Sequence, residues 1–238
     1  RFWEAHDLIL KAWTSHDGPF NWEGKYFHHR QVNIWPRPYQ QPHPPVWITA
    51  LSPDSARQVA ERGYVVACFL TGFQGTKTIF ETYRTRRTEL GLPTPALDRF
   101  AYAALVYTGE TDAEGYAGAR KLMWYVESNK VPLQFTNPPG YQPIATAVNA
   151  MKGSSGIFKL FQNPTLERFM ENGLVFAGNP DSVYRQIIKM HNHVGGFGHL
   201  LIMGQAGFLE HDETVKGMKL FAKEVYPRLK ELDSGGIP

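Results

Sequence analysis

The sequence predicts an α/β fold built on a parallel sheet, and three observations predict it. The segments "VWITAL", "YVVACFL" and "FAYAALVYTG" are short and almost continuously apolar, as strands covered on both faces must be. Each is followed by a run with apolar residues at helical spacing, over 54–62, 77–90 and 112–127. The 238 residues can bury one large core, and a complete barrel takes roughly 250.

Taken in order, the first element is a helix, because Leu8, Ile9, Ala12 and Trp13 recur at helical spacing before Gly18-Pro19 ends the run. "WEGKYFHHRQVNIW" then has the aromatic and β-branched content of a hairpin. "PRPYQQPHPPV" is an extended connection, since each proline removes a donor and biases its predecessor away from α. Parallel strands are expected over 46–51, 65–70, 100–107 and 199–203. Residues 129–172 break the rhythm with "TNPPGYQP" and "KGSSG"; they read as a long insertion with some helix near 145–151 and 164–170. After "VFAGN" a helix is expected over 180–193, and a final one over 213–232. Four strands leave two sheet edges unpaired, so further strands, a swapped partner or a second chain is expected to cover them.

The formal charge of +3 is carried by scattered basic residues, and Arg84, Arg86 and Arg87 read as a solvated helix face, so no nucleic acid is expected. Cys68 is the only cysteine and sits in an apolar run, which excludes an internal disulfide and suits a reducing, cytoplasmic compartment. No apolar run approaches the ~20 residues of a membrane span. His191 and His193 lie two apart on a helix and cannot share a face, and no paired-cysteine or HExxH spacing occurs, so no metal is expected. "GGFGHL" precedes a strand instead of following one, which rejects a dinucleotide fingerprint.

The corner "ALSPDS" is the stretch that points to chemistry. With Ser52 as cap, Pro53 takes the first helical position and Ser55 the third. The amides of Asp54, Ser55 and Ala56 would then be open at a helix start, where an anion is welcome. Simple helix capping explains the same residues.

The helix "RFWEAHDLILKAW", the motif "RPxQxPxPP" leading into a strand, the serine corner and the helix start "AGNPDSV" occur in this order. Together they resemble the bacterial luciferase-like flavin monooxygenase family over nearly the whole chain. The resemblance implies a (β/α)8 barrel of the luciferase-like type, of which residues 1–238 form a single domain carrying strands five to eight and lacking strands one to four. It implies FMN at the carboxyl ends of the strands, with Ser52 and Ser55 at its phosphate and Leu51 and Arg1 beside it. It implies an oxygenase using reduced FMN from a separate flavin reductase, a small-molecule substrate, and a homodimer or higher homo-oligomer. Phe69, Thr71 and Gln205 at strand ends are expected to wall the substrate pocket, with residues 129–172 as a lid, and no catalytic polar residue is assigned. The absence of an "AG...DG" pattern after the corner places the chain nearer the oxygen-using branch than the deazaflavin one. A deazaflavin oxidoreductase and a non-catalytic flavin-binding relative remain the alternatives.

Overall fold

The structure, a computed structural model, describes residues 1–128 and 164–234. The chain divides into two compact units, Arg1–Val46 and Trp47–Pro238.

The first unit holds helix α1 (Phe2–Thr14) and an antiparallel hairpin of β1 (Phe20–Glu23) and β2 (His28–Val32), as the sequence predicts. Glu4 on α1 reaches the hairpin turn, where Oε1 accepts from the Tyr26 and Phe27 amides at 2.9 Å each. Burial alone would push this carboxyl up, but the Tyr26, Phe27 and Lys25 amides together outweigh it and hold the group below its ordinary value of 4.5. A carboxylate depressed in the folded state stabilises above its unfolded pKa, and this contribution is lost as pH falls through the folded one. We therefore expect the unfolding midpoint to fall as pH drops below about 4.5, and Glu4→Gln to flatten that limb. Identical acid limbs in the two proteins would remove Glu4 from this role.

The second unit is built on five parallel strands: β3 (Trp47–Thr49), β4 (Val65–Phe69), β5 (Phe100–Thr108), β6 (Val175–Gly178) and β7 (His199–Met203). Four coincide with the predicted strands, and β6 is an addition. At Ala101 the central strand β5 meets Ala67 and His199, and at Leu105 it meets Val175 and Met203. One edge of β5 therefore carries β7, while the other carries β4 along its first half and β6 along its second. Only a strand as long as β5, nine residues, can hold two successive neighbours on one edge.

Helices α2 (Pro53–Arg62), α3 (Gly72–Glu89) and α6 (Pro180–His193) cover one face of this sheet. Ala56, Val59 and Ala60 of α2, Ile79, Phe80 and Tyr83 of α3, and Phe100, Tyr102, Ala104 and Val106 of β5 form one core. Phe80, Tyr83, Phe100 and Tyr102 have no exposed surface, and each such side chain contributes roughly 1.5–3 kcal/mol on burial. Arg84 ties α3 to the end of α6. Its guanidinium lies 4.3 Å from the Phe100 ring centroid and donates to the carbonyls of Val194, Gly195 and Gly196. This arginine belongs to the basic cluster read as solvated; that reading fails here, because Arg84 satisfies carbonyls at a helix end.

On the opposite face, Leu105 and Tyr107 of β5 pack with α4 (Asp112–Ser128), α5 (Leu166–Glu171) and β6. Toward the amino ends, the Trp47 and His199 rings approach to 4.6 Å. Their strands stand three apart in the sheet, roughly 14 Å if it were flat at the usual spacing. The sheet is therefore strongly curled, as an arc of a barrel requires.

Three boundaries differ from expectation. Helix α3 begins at Gly72 rather than residue 77, because Gly72 has φ of 66° and opens the helix directly after the strand. The final helical run comprises α7 (His211–Leu220), a π turn (Phe221–Val225) and α8 (Tyr226–Ser234) in place of one regular helix. The described end of the insertion is packed: Leu166 and Phe169 of α5 are buried in the core. The lid expected over 129–172 and the helix expected near 145–151 fall, up to residue 163, outside the described residues.

Candidate functional site

Because β3, β4, β5 and β7 run parallel, the segments that follow them emerge on one side of the sheet. In open and closed α/β sheets this is the side that carries ligands. The first of these segments is the serine corner. The Ala50 amide still bonds to Ala67 at 3.0 Å, extending the β3 ladder; Leu51 then projects outward, 71% exposed. Ser52 is extended at φ −145° and ψ 156°, and Pro53 starts α2.

Ser52 Oγ accepts from the Ser55 amide at 3.3 Å and lies 3.1 Å from Ser55 Oγ. The Ala56 amide donates to the Ser52 carbonyl at 3.1 Å. Of the three amides expected to be open, two are therefore engaged, and only that of Asp54 has no acceptor among the described residues. The physical reason is that the cap and the first helical bond use the donors that an anion would otherwise take. What the corner offers outward is a pair of half-buried hydroxyls on one helical turn, one amide, and the positive end of α2 behind them. Asp54 is exposed, so its carboxylate can stay in solvent.

The second segment follows β4. Phe69 is half-buried, its ring 6.4 Å from that of Tyr125 on α4. Leu70 has φ of 51°, an uncommon conformation for a leucine, which re-aims the chain before α3. Thr71 turns its hydroxyl to Thr76 Oγ1 at 2.6 Å. Beneath them Cys68 is fully buried, and that burial pushes its thiol up to about 12, so it stays protonated and inert. Tyr102 donates to the Gly173 carbonyl at 2.7 Å, and its phenol is also raised by burial.

The third segment follows β7, where Gln205 is exposed. The structure thus brings Ser52 and Ser55 into contact with Leu51 adjoining, and it places Phe69 at the end of β4, Thr71 just after it and Gln205 after β7. Arg1 belongs to the other unit; it is exposed and its guanidinium stands 6.0 Å from the Phe27 ring centroid. Thr76 and Tyr125 were not foreseen. "TGFQGT" does carry threonines at both ends, but a five-residue spacing becomes a contact only once α3 starts at Gly72. Among the described residues no group of three His, Cys, Asp or Glu side chains could hold a metal ion, and no helix is long and apolar enough to cross a membrane.

The chain is similar to known proteins over nearly its whole length. The chain is 24% identical over 244 residues to 3,6-diketocamphane 1,6-monooxygenase of Pseudomonas putida, covering 95% of this chain and 61% of that one. It superposes on the crystallised oxygenating constituent of that species' 3,6-diketocamphane monooxygenase, in complex with FMN, with a TM-score of 0.64 at 24% identity, covering 94% and 62%. A coenzyme F420 dependent tetrahydromethanopterin reductase from Methanopyrus kandleri gives the same TM-score of 0.64 at 17% identity, covering 95% and 62%. The chain therefore spans about three fifths of the length of these relatives. The sequence profile of the luciferase-like monooxygenases matches residues 1–195. On that match, and on the parallel α/β sheet that carries it, the chain belongs to the luciferase-like monooxygenase family.

Proposed function

We propose that the chain is part of a flavin-dependent monooxygenase of the two-component type, oxygenating a small organic substrate with reduced FMN delivered by a separate flavin reductase. The observation that carries this reading is the Ser52–Ser55 hydroxyl pair at the carboxyl end of β3, backed by the start of α2. Each hydroxyl can rotate its proton outward to donate to a phosphate oxygen, and the Ser52 oxygen still accepts from the Ser55 amide. The Asp54 amide adds a fixed donor beside the exposed Leu51. These residues suit a terminal phosphate monoester, which needs several donors and a positive helix end.

When bound, reduced FMN supplies two electrons to O2, so that one oxygen atom enters the substrate and the other leaves as water. The chain's own contribution is to bind, orient and exclude water. Phe69 and Tyr125 offer apolar walls after β4, and Thr71, held by Thr76, offers an oriented hydroxyl there. Gln205 is assigned to the same wall. The relative named as an oxygenating constituent, in complex with FMN, supports this choice of cofactor. A homo-oligomeric, cytoplasmic enzyme accords with the three described strands that pair on one side only, β3, β6 and β7, and with the buried thiol.

The F420-dependent relative keeps a second reading open, hydride transfer through a deazaflavin without oxygen. Anaerobic titration of the full chain with reduced FMN and with reduced deazaflavin, followed by admission of 18O2, separates the two. Binding of reduced FMN and oxygen uptake, with label appearing in product or peroxide, is the expected result. Preference for the deazaflavin with no oxygen uptake would establish the second reading, and binding of either without turnover would mark a non-catalytic relative.

A further inference from the structure

The tetrapeptides "SPDS" at 52–55 and "NPDS" at 179–182 are near copies, and each stands where a strand turns into a helix, β3 into α2 and β6 into α6. They fold alike. Ser52 (φ −145°, ψ 156°) and Asn179 (φ −71°, ψ 169°) are extended caps, and Pro53 and Pro180 open the helices. Each cap side chain accepts from the amide of the closing serine, at 3.3 Å for Ser55 and 2.9 Å for Ser182. Each corner therefore keeps the same two donors over: the amide of the cap residue and the hydroxyl of the closing serine.

The corners differ in what meets those donors. At α6 the Asn179 amide donates to Asp112 Oδ1 at 2.8 Å, and the Ser182 hydroxyl donates to the same carboxylate. Arg185 donates to the Ser182 oxygen at 3.1 Å, which leaves that hydroxyl's proton for Asp112. The Asn179 amide and then the Ser182 hydroxyl hold the Asp112 carboxyl below its ordinary value of 3.8. At α2 the Ser52 amide, like that of Asp54, has no acceptor among the described residues, and the Ser55 hydroxyl lies 3.1 Å from that of Ser52. The neighbouring strands explain the difference. β6 lies beside the second half of β5, so the segment after β5 reaches its end: the Gly109 amide donates to the Gly178 carbonyl at 2.9 Å, and Asp112 follows three residues later. Gly178 admits the carboxylate, since a Cβ there would stand 2.6 Å from Asp112 Oδ1. β3 lies beside β4, and the segment after β4, "LTGFQG", carries no acid.

We propose that Asp112 is a specificity-determining residue: its carboxylate is a built-in anion that occupies the α6 corner, so that of two corners with the same donors only the one at Ser52 and Ser55 is open to a phosphate. That consequence for the phosphate rests on the reading of the serine corner as its seat; the occupancy of the α6 corner does not. Like charge reinforces the closure. Glu110, Asp181 and Glu224 border the depression in front of the α6 corner, and Arg228 there is paired with Asp181 at 2.7 Å, so a phosphate dianion would meet carboxylates. Removing the Asp112 side chain leaves room for a small monoanion, and formate carries the two oxygens that Asp112 presents.

Amide NMR and thermal unfolding of the full chain test this, with sodium formate and inorganic phosphate as probes and sodium chloride at equal concentration as control. In the parent neither probe is expected to move the Asn179 and Ser182 signals. Asp112→Ala is expected to lower the thermal midpoint by roughly 3–12 °C, as for a lost hydrogen bond to a charged group. Formate is expected to restore most of that loss while shifting Asn179 and Ser182 saturably. Asp112→Asn keeps the space filled, so formate is expected to leave both signals unmoved. A formate or phosphate response at Asn179 in the parent, no formate response there in Asp112→Ala, a formate response in Asp112→Asn, or equal recovery with chloride would overturn the proposal. Phosphate signals at Ser52 and Ser55 read the other corner: silence there in the parent defeats the serine-corner reading and the consequence drawn from it, whereas the assignment of Asp112 stands or falls at Asn179.

Discussion

Gly115→Val is expected to destabilise the protein by about 3–4 kcal/mol, lowering its thermal midpoint by roughly 10 °C for a chain of this size. The reason lies in the contact between α4 and β6. A Cβ on Gly115 would stand 2.5 Å from the N, Cα and O of Gly178, all backbone atoms. Backbone at that point cannot yield cheaply. The Gly109 amide bonds to the Gly178 carbonyl at 2.9 Å, and Asp112 Oδ1 accepts from the Asn179 amide at 2.8 Å. Moving β6 away would break both and shift the start of α6. Helix propensity alone predicts the opposite sign, since replacing an interior glycine with alanine usually gains up to about 1 kcal/mol. Gly115→Ala therefore discriminates between the two effects, and a stabilised alanine variant would show that α4 and β6 separate freely. Chemical denaturation of both variants beside the parent gives the answer.

How far such features were legible in the sequence depends on whether they are local. The helix 180–193 is placed to the residue, because its start is written in Asn179 and Pro180: the Asn179 side chain accepts from the Ser182 amide at 2.9 Å, and the proline occupies the first turn. Strands β4 and β5 are legible because burial on both faces demands unbroken apolar runs. Strand β6 was missed because four residues that end in Gly178 carry no periodicity, and their strand character comes from the second half of β5. The first turn of α3 was missed for a related reason. Gly72 and Gly75 look like breakers, and only Leu70 in its left-handed conformation turns the chain early enough to begin a helix there. At the site, both serines and the cap were readable, but the number of open amides was not, since each donor goes to whichever acceptor the folded turn brings near. The Thr71–Thr76 and Phe69–Tyr125 contacts depend on where helices start and pack, which no local pattern encodes.

Replacing Ser52 and Ser55 together by alanine is expected to weaken FMN binding by roughly 1–3 kcal/mol, from about fivefold to more than a hundredfold, as for lost hydrogen bonds to a charged group. The same variant should bind riboflavin, which lacks the phosphate, as the parent does. That pair of ligands matters because the corner has two functions at once. Ser52 caps α2 through the Ser55 amide, so its removal should also lower stability by about 0.5–2 kcal/mol whether or not a phosphate ever binds. A fall in FMN affinity alone would not tell a lost phosphate contact from a frayed helix start. Fraying moves Leu51 and the backbone under both ligands, whereas loss of a phosphate donor moves only FMN, so the FMN-to-riboflavin affinity ratio isolates the second effect. Ser55→Ala alone sharpens the comparison: it keeps the Ser52 cap oxygen and removes one of the two outward hydroxyls, and is expected to lower the ratio with little change in stability. A ratio unchanged in both variants would mean that the corner is a cap and nothing more, and that the phosphate, if one binds, is held elsewhere.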